Sequence, residues 1–192
     1  MRGIKYYLSK IFLRPLRSAL VRIMGVPKWH IASPSNKPYL NDIVLHLNSL
    51  DLERVAEIGC GTCDILRKIN CNYRFGFDID NRVLRVAKIL NSLAFKEVSL
   101  STYDFSSDDV LWDFDAILLI NWPHEIPGNI LKNKLDAMTD KMKVGSRIII
   151  DTVGDHGYKF NHNINDLFNE DSFEIDVIST YGSRTVYAVV LR

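Results

Sequence analysis

Two spacings of apolar residues alternate along the chain. Short, almost uninterrupted apolar runs at residues 55–58 and 114–121 predict buried strands. The stretch from Ala116 to Ile120 has the composition of a central parallel strand, buried on both faces. Before the first run, Leu40, Ile43, Val44 and Leu47 recur at helical spacing and predict a helix over 39–48. Asp80, ahead of another periodic run, predicts a capped helix over 82–93. Two last apolar stretches, 173–180 and 184–191, flank Tyr181-Gly182-Ser183 and predict a hairpin. Strands alternating with helices and closed by a hairpin define an α/β domain.

The N-terminal segment has a different pattern. Ile4, Leu8, Ile11, Phe12, Leu16, Ala19, Leu20 and Ile23 form an apolar stripe, with Lys5, Lys10, Arg14, Arg17 and Arg22 largely off it. Pro15 is expected to kink this helix or start a second one. Residues 1–41 hold eight basic residues and no acid, which leaves residues 42–192 with sixteen basic against 23 acidic side chains, a net of −7. Such a head suits packing on the domain or on a sister subunit in a homodimer, peripheral contact of residues 1–25 with an anionic membrane, or an organelle transit peptide. A Pro- and Ser-rich connector follows, so residues 1–37 are expected to form a basic helical segment and 38–192 the α/β domain.

Chemistry concentrates at Val55-Ala56-Glu57-Ile58-Gly59-Cys60-Gly61-Thr62-Cys63-Asp64. The run predicts a strand, a glycine turn and a helix starting near Asp64. Gly59 and Gly61 remove the β-carbons that would hold a ligand off the backbone. A dinucleotide fingerprint needs a small residue where this chain has Asp64, so a pyrophosphate fits poorly. Glu57 at the strand end repels phosphate and suits a cation. A nucleoside carrying a sulfonium and an ammonium group, without phosphate, fits this turn better.

These residues resemble the first motif of the class I S-adenosylmethionine (SAM) dependent methyltransferases, an acid and a spacer followed by G-x-G-x-G. Glu57, Gly59 and Gly61 match it, and Cys63 replaces the third glycine. The resemblance continues in order through a second strand at Arg74-Phe75-Gly76-Phe77-Asp78, a third at 98–104 ending in Asp104, the strand ending at Asn121, the Met142-Lys143-Val144-Gly145-Ser146 turn with a fifth strand to Ile150, and the hairpin. It implies a Rossmann-like, seven-stranded, mostly parallel sheet with a terminal antiparallel hairpin and helices on both faces. It also implies SAM as cofactor and S-adenosylhomocysteine (SAH) as product. The cofactor contacts it implies are Glu57, Gly59, Cys60, Gly61, Asp78, Ile79, Asp104, Phe105 and Asn121, with Asp78 on the ribose hydroxyls and Asp104 near the adenine amino group.

Ligands of open α/β sheets bind beyond the strand carboxyl ends, so Asn121-Trp122-Pro123-His124-Glu125-Ile126 should line the acceptor side. His124 matches the first histidine of an H-H-I pattern found in small-molecule methyltransferases, and Glu125 replaces the second. An oxygen acceptor must lose a proton, and neutral histidine is the natural base. His124 is therefore the expected base, assisted by Asn121 and Glu125. Trp29, His30, Trp122, His156, Tyr158 and His162 are the expected substrate contacts, for a small molecule such as a glycan or lipid-linked hydroxyl compound. A nitrogen acceptor and a non-catalytic SAM-binding module are the alternatives. Nucleic-acid amines are disfavoured because Trp122 interrupts the Asn-Pro-Pro-aromatic pattern of such enzymes. No metal is expected, although Asp151, His156 and His162 share the next loop.

Bulk properties add limits. The length, 192 residues, suits one domain with a sizeable core. Apolar runs are too short to span a bilayer. Three cysteines, an odd number, argue against a disulfide framework and fit a reducing cytoplasm. Cys60 and Cys63 have C-x-x-C spacing but no second pair, so they are expected to pack as small hydrophobes.

Overall fold

The computed structural model describes residues 15–27 and 37–192. In chain order the elements are α1 (residues 15–23), α2 (Tyr39–Asn48), β1 (Arg54–Ile58), β2 (Tyr73–Asp78), α3 (Asn81–Leu93), β3 (Ser99–Thr102), β4 (Ala116–Leu119), α4 (Gly128–Thr139), β5 (Arg147–Val153), α5 (Ile164–Leu167), β6 (Phe173–Tyr181) and β7 (Arg184–Leu191). Seven strands form one sheet in the order β3-β2-β1-β4-β5-β7-β6. The first five strands run parallel, and β7 enters antiparallel between β5 and β6.

Side chains alternate across the central strands and divide the core in two. Val55, Leu118 and Ile149 face α2, whose Leu40, Ile43, Val44 and Leu47 are buried against them. Ala56, Ile58, Ile117, Leu119, Ile148 and Ile150 face the other way, toward Leu131, Leu135 and Met138 of α4. Burial on both faces explains why β1 and β4 read as unbroken apolar runs. Helix α3 begins as predicted, with the Asp80 side chain accepting the Arg82 N–H at 2.8 Å.

Two expectations change. The helix foreseen from Asp64 does not form: a turn at residues 61–65 leads only to a 3-10 turn, Leu66–Lys68. Cys63 has a left-handed φ of 59°, which breaks helical geometry at the point where the helix would begin. Nearby, the Arg67 guanidinium is held by the Thr62 carbonyl, the Asp64 carboxylate and Asn91. The predicted stripe holds only in part in α1: Leu20 packs against α3, whereas Ile23 is 80% exposed and Ala19 is exposed. Val21 and Val26 are buried instead, against Val83, Val86 and Leu90 of α3. The buried face is centred on Val21 rather than on the predicted stripe because its partner is α3, whose valine face accepts Leu20, Val21 and Met24. The part of the stripe from Ile4 to Phe12 lies outside the described residues.

Successive strands β1, β2, β3 are laid to one side, and β4, β5 to the other. This reversal opens a crevice above the carboxyl ends of β1 and β4, the topological switch point where ligands bind in open α/β sheets.

Candidate active site

The glycine turn sits at that switch point. Gly59 has φ 70° and Gly61 φ 52°, both in the left-handed region. A β-carbon on Gly59 would lie 2.4 Å from the Trp122 indole, so only glycine fits beneath that ring. The Trp122 Nε1–H donates to the Ile58 carbonyl at 2.6 Å, and Phe105 meets the indole edge-on at 4.9 Å between centroids. Strand β2 closes the other side: the Cys60 N–H donates to the Phe77 carbonyl at 2.9 Å, and the Gly61 N–H to Asp78 Oδ2 at 2.9 Å.

Asp78 is 7% exposed, and its second oxygen accepts the Asp80 N–H at 3.0 Å. A carboxylate offers about four lone-pair sites, so each oxygen keeps one for a ligand hydroxyl. Glu57 lies deeper, and its Oε2 is buried without a hydrogen-bond partner among the described residues. Burial, with Cys63 and Asp64 nearby, pushes its carboxyl well above the ordinary range, against the pull of Arg67 and the Leu66 N–H.

These residues line one cavity of about 610 Å³, within the range of small-molecule sites. Of the residues predicted for the cofactor, Glu57, Gly59, Cys60, Gly61, Asp78, Ile79, Asp104, Phe105 and Asn121 all lie in its wall, as does Trp122. Asp104 falls beyond the end of β3, where its carboxylate accepts the Ser106 N–H at 2.8 Å. Cys60 and Cys63 are buried free thiols, and Gly76 leaves room for both. Among the described residues, no group of three or more His, Cys, Asp and Glu side chains is arranged to hold a metal ion.

Beyond Trp122 the site is organised around Asn121, which has a left-handed φ of 75° at the end of β4. Its N–H donates to Asp151 Oδ1 at 2.8 Å, and its side-chain oxygen accepts the Tyr39 hydroxyl. Asp151 is ion-paired with Arg184, both side chains being nearly buried. The guanidinium lies over the rings of Tyr39 and Tyr158, 5.1 Å and 5.6 Å from their centroids. Tyr158 in turn meets His124 edge-on at 4.5 Å. A chain of contacts thus links Tyr39, Asn121, Asp151, Arg184, Tyr158 and His124.

His124 is 8% exposed, with Nδ1 unpartnered among the described residues and Nε2 3.7 Å from Glu125. Burial, then the charges of Arg184 and His162, lower its pKa, and Glu125 offsets them in part. The lowered pKa favours the neutral ring. The structure does not bring His124, Glu125, His156, Tyr158 or His162 into the cavity wall. His156 is exposed, and His162 Nε2 bonds the Pro123 carbonyl at 3.0 Å, steadying the loop that carries His124. Trp29 and His30 lie outside the described residues.

Sequence reasoning missed Tyr39, Arg184, Arg17 and Lys37. The first appears only as the start of an apolar helix. Arg184 carries no motif, and it meets Asp151 only because β7 pairs antiparallel with β5, Arg184 opposite Val153 and Val186 opposite Asp151. Arg17 and Lys37 belong to segments whose charge suggested other partners.

No family model matches the chain, and no curated protein matches it in sequence. Solved structures do match its fold. A SAM-dependent methyltransferase from Clostridium acetobutylicum is similar with a TM-score of 0.63 and 16% identity, covering 81% of this chain and 91% of that one. The N-methyltransferase NodS from Bradyrhizobium japonicum gives 0.65 at 15% identity, covering 83% and 97%. Magnesium protoporphyrin IX methyltransferase from Synechocystis, with bound SAM, gives 0.64 at 15% identity, covering 82% and 80%. The fold is that of the class I SAM-dependent methyltransferases, as the order of motifs implied.

Proposed function

We propose that this chain is a SAM-dependent methyltransferase that methylates a hydroxyl oxygen of a small molecule. One observation carries the proposal. A single cavity at the switch point joins a β-carbon-free turn, an aspartate with spare lone pairs and a buried carboxyl with one unpartnered oxygen among the described residues. When bound there, SAM supplies an electrophilic methyl, its S–C bond breaking as the acceptor–C bond forms. Asp78 takes the ribose hydroxyls and Glu57 faces the cationic end. Trp122 and Phe105 wall the cavity with aromatic surface and exclude water. Tyr39 and the Asp151–Arg184 pair fix Asn121, whose side-chain N–H groups donate to no partner among the described residues and can orient the acceptor, and alignment is the protein's main contribution. The hydroxyl proton is assigned to His124, whose ring stands behind the cavity wall with Nδ1 unpartnered among the described residues, so the transfer runs through a bridging water rather than by direct contact.

The oxygen reading predicts an acid limb in the pH–rate profile with a midpoint below 6.5, since lowering pH through the depressed pKa protonates the base. His124→Ala should remove that limb and lower the rate by about 10²–10⁴-fold, the usual contribution of a positioned base. Transfer of labelled methyl from SAM to panels of hydroxyl and amine acceptors measures both. A nitrogen acceptor is the second reading, favoured by the place of His124 behind the cavity wall. It predicts a rate that survives His124→Ala. SAH binding without turnover on any panel would mark a non-catalytic module.

A further inference from the structure

One face of the molecule has a charge unlike the rest. Residues 15–27 and 81–96, which hold α1 and α3, carry six basic side chains and no acid. The remainder of 42–192 has twelve basic against 23 acidic side chains. The two basic segments are joined: Val21 and Val26 pack on Val83, Val86 and Leu90, and Arg82 donates to the Gly25 carbonyl at 3.0 Å. They present one continuous surface.

Its outer side mixes cations with apolar tips. Arg17 and Arg82 are paired with Asp64 and Asp80. Arg22, Arg85 and Lys88 are exposed, and their charged groups have no ion pair or hydrogen bond among the described residues. Arg82, Arg85, Ile89 and Leu93 follow at i+3 and i+4 along α3, and Leu93 is 49% exposed. On α1, Ala19 and Ile23 stand outward beside Arg22, and Phe95 is exposed just past the end of α3. Cations interleaved with protruding apolar side chains on helices match the surface of an anionic bilayer. The charges meet lipid headgroups there, and the apolar tips enter the acyl boundary. A nucleic acid would answer the cations but not the aliphatic tips, which do not stack on bases.

We infer that the outer face of α1 and α3 docks the protein on an anionic membrane surface. Residues 1–14, outside the described residues, add four cations and no acid to the chain that enters α1. Arg17 and Pro27 line the cavity, so the docked face adjoins its mouth. None of the outward residues is assigned to SAM, so docking and cofactor binding stand or fall separately.

Co-sedimentation of the full chain with vesicles is the test. Wild type should bind mixed phosphatidylcholine–phosphatidylglycerol vesicles, ignore pure phosphatidylcholine, and detach at high salt as screened charges do. The double variant Arg85→Gln/Lys88→Gln should bind about tenfold to thirtyfold more weakly, each cation near an anionic surface contributing about fivefold. Ile23→Ser should weaken binding about threefold or more through lost apolar burial. Lys141→Gln/Lys143→Gln, in the turn before β5, removes the same charge elsewhere. It should change binding by less than about twofold, because the attraction fades within a Debye length. No binding to the mixed vesicles overturns the proposal, as does an equal loss in the two double variants. Unchanged binding in Arg85→Gln/Lys88→Gln also overturns it, by moving the contact to residues 1–14. Tighter binding to a duplex oligonucleotide than to vesicles would assign the face to nucleic acid instead. A wild-type dimer that Arg85→Gln/Lys88→Gln dissociates would assign it to a second copy of this chain.

Discussion

Arg184→Met should lower the melting temperature by about 6–20 °C. Removing one partner of a buried ion pair costs about 3–5 kcal/mol, because the other charge stays buried without compensation. For a protein of this length each kcal/mol corresponds to roughly 2–4 °C. The remaining partner here is Asp151, 2% exposed and already committed to the Asn121 N–H. Losing the guanidinium also strips the packing between Tyr39 and Tyr158. Pairing the change with Asp151→Asn should recover a large part of the loss, since an amide oxygen still accepts the Asn121 N–H without stranding a charge. Thermal melts of the three proteins by circular dichroism decide it. A shift under about 2 °C for Arg184→Met would mean that the pair is solvated and does not brace the site.

Asp78→Ala should weaken SAH binding by about tenfold to a hundredfold, the scale of a charged hydrogen-bond partner lost from a buried site. Two effects combine. The ribose loses its acceptor, and the N–H groups of Gly61 and Asp80 lose the carboxylate that fixes the turn. Asp78→Asn should fall between, because one oxygen remains an acceptor and the other becomes a donor. Calorimetry separates the three proteins. Equal affinities would show that the ribose does not lie at the end of β2.

The sheet was legible because parallel strands buried on both faces leave apolar runs that nothing else in a short domain explains. β1 and β4 are such runs. Helix α4 was not predicted, although Leu131, Leu135 and Met138 form a clear stripe. Pro123 and Pro127 place it directly after a proline-rich loop that obscures its start. The missing helix after the glycine turn has a local cause, the left-handed Cys63, in the position where the resemblance already departed from the family pattern.

The site divides along a similar line. Motif residues at strand ends, such as Glu57 and Asp78, could be placed from sequence because a strand's terminus fixes where its side chains meet a ligand. Arg184 and Asp151 come together across 33 positions through strand pairing alone, and no local signal encodes that. Tyr39 reaches Asn121 from a helix read only for its apolar stripe. His124 shows the opposite case. Its motif was clear, yet the 3-10 turn Pro123–Glu125 sets the ring behind the wall rather than in it.

The central claim is that the switch-point cavity is built for SAM, and titrating the purified chain with SAH beside NAD tests it most directly. Heat on addition of SAH, with saturable one-to-one binding and none with NAD, is the predicted result. The Glu57 carboxyl and the absence of a helix N-terminus after the turn both disfavour a pyrophosphate. Binding of NAD, or of neither compound, would contradict the account.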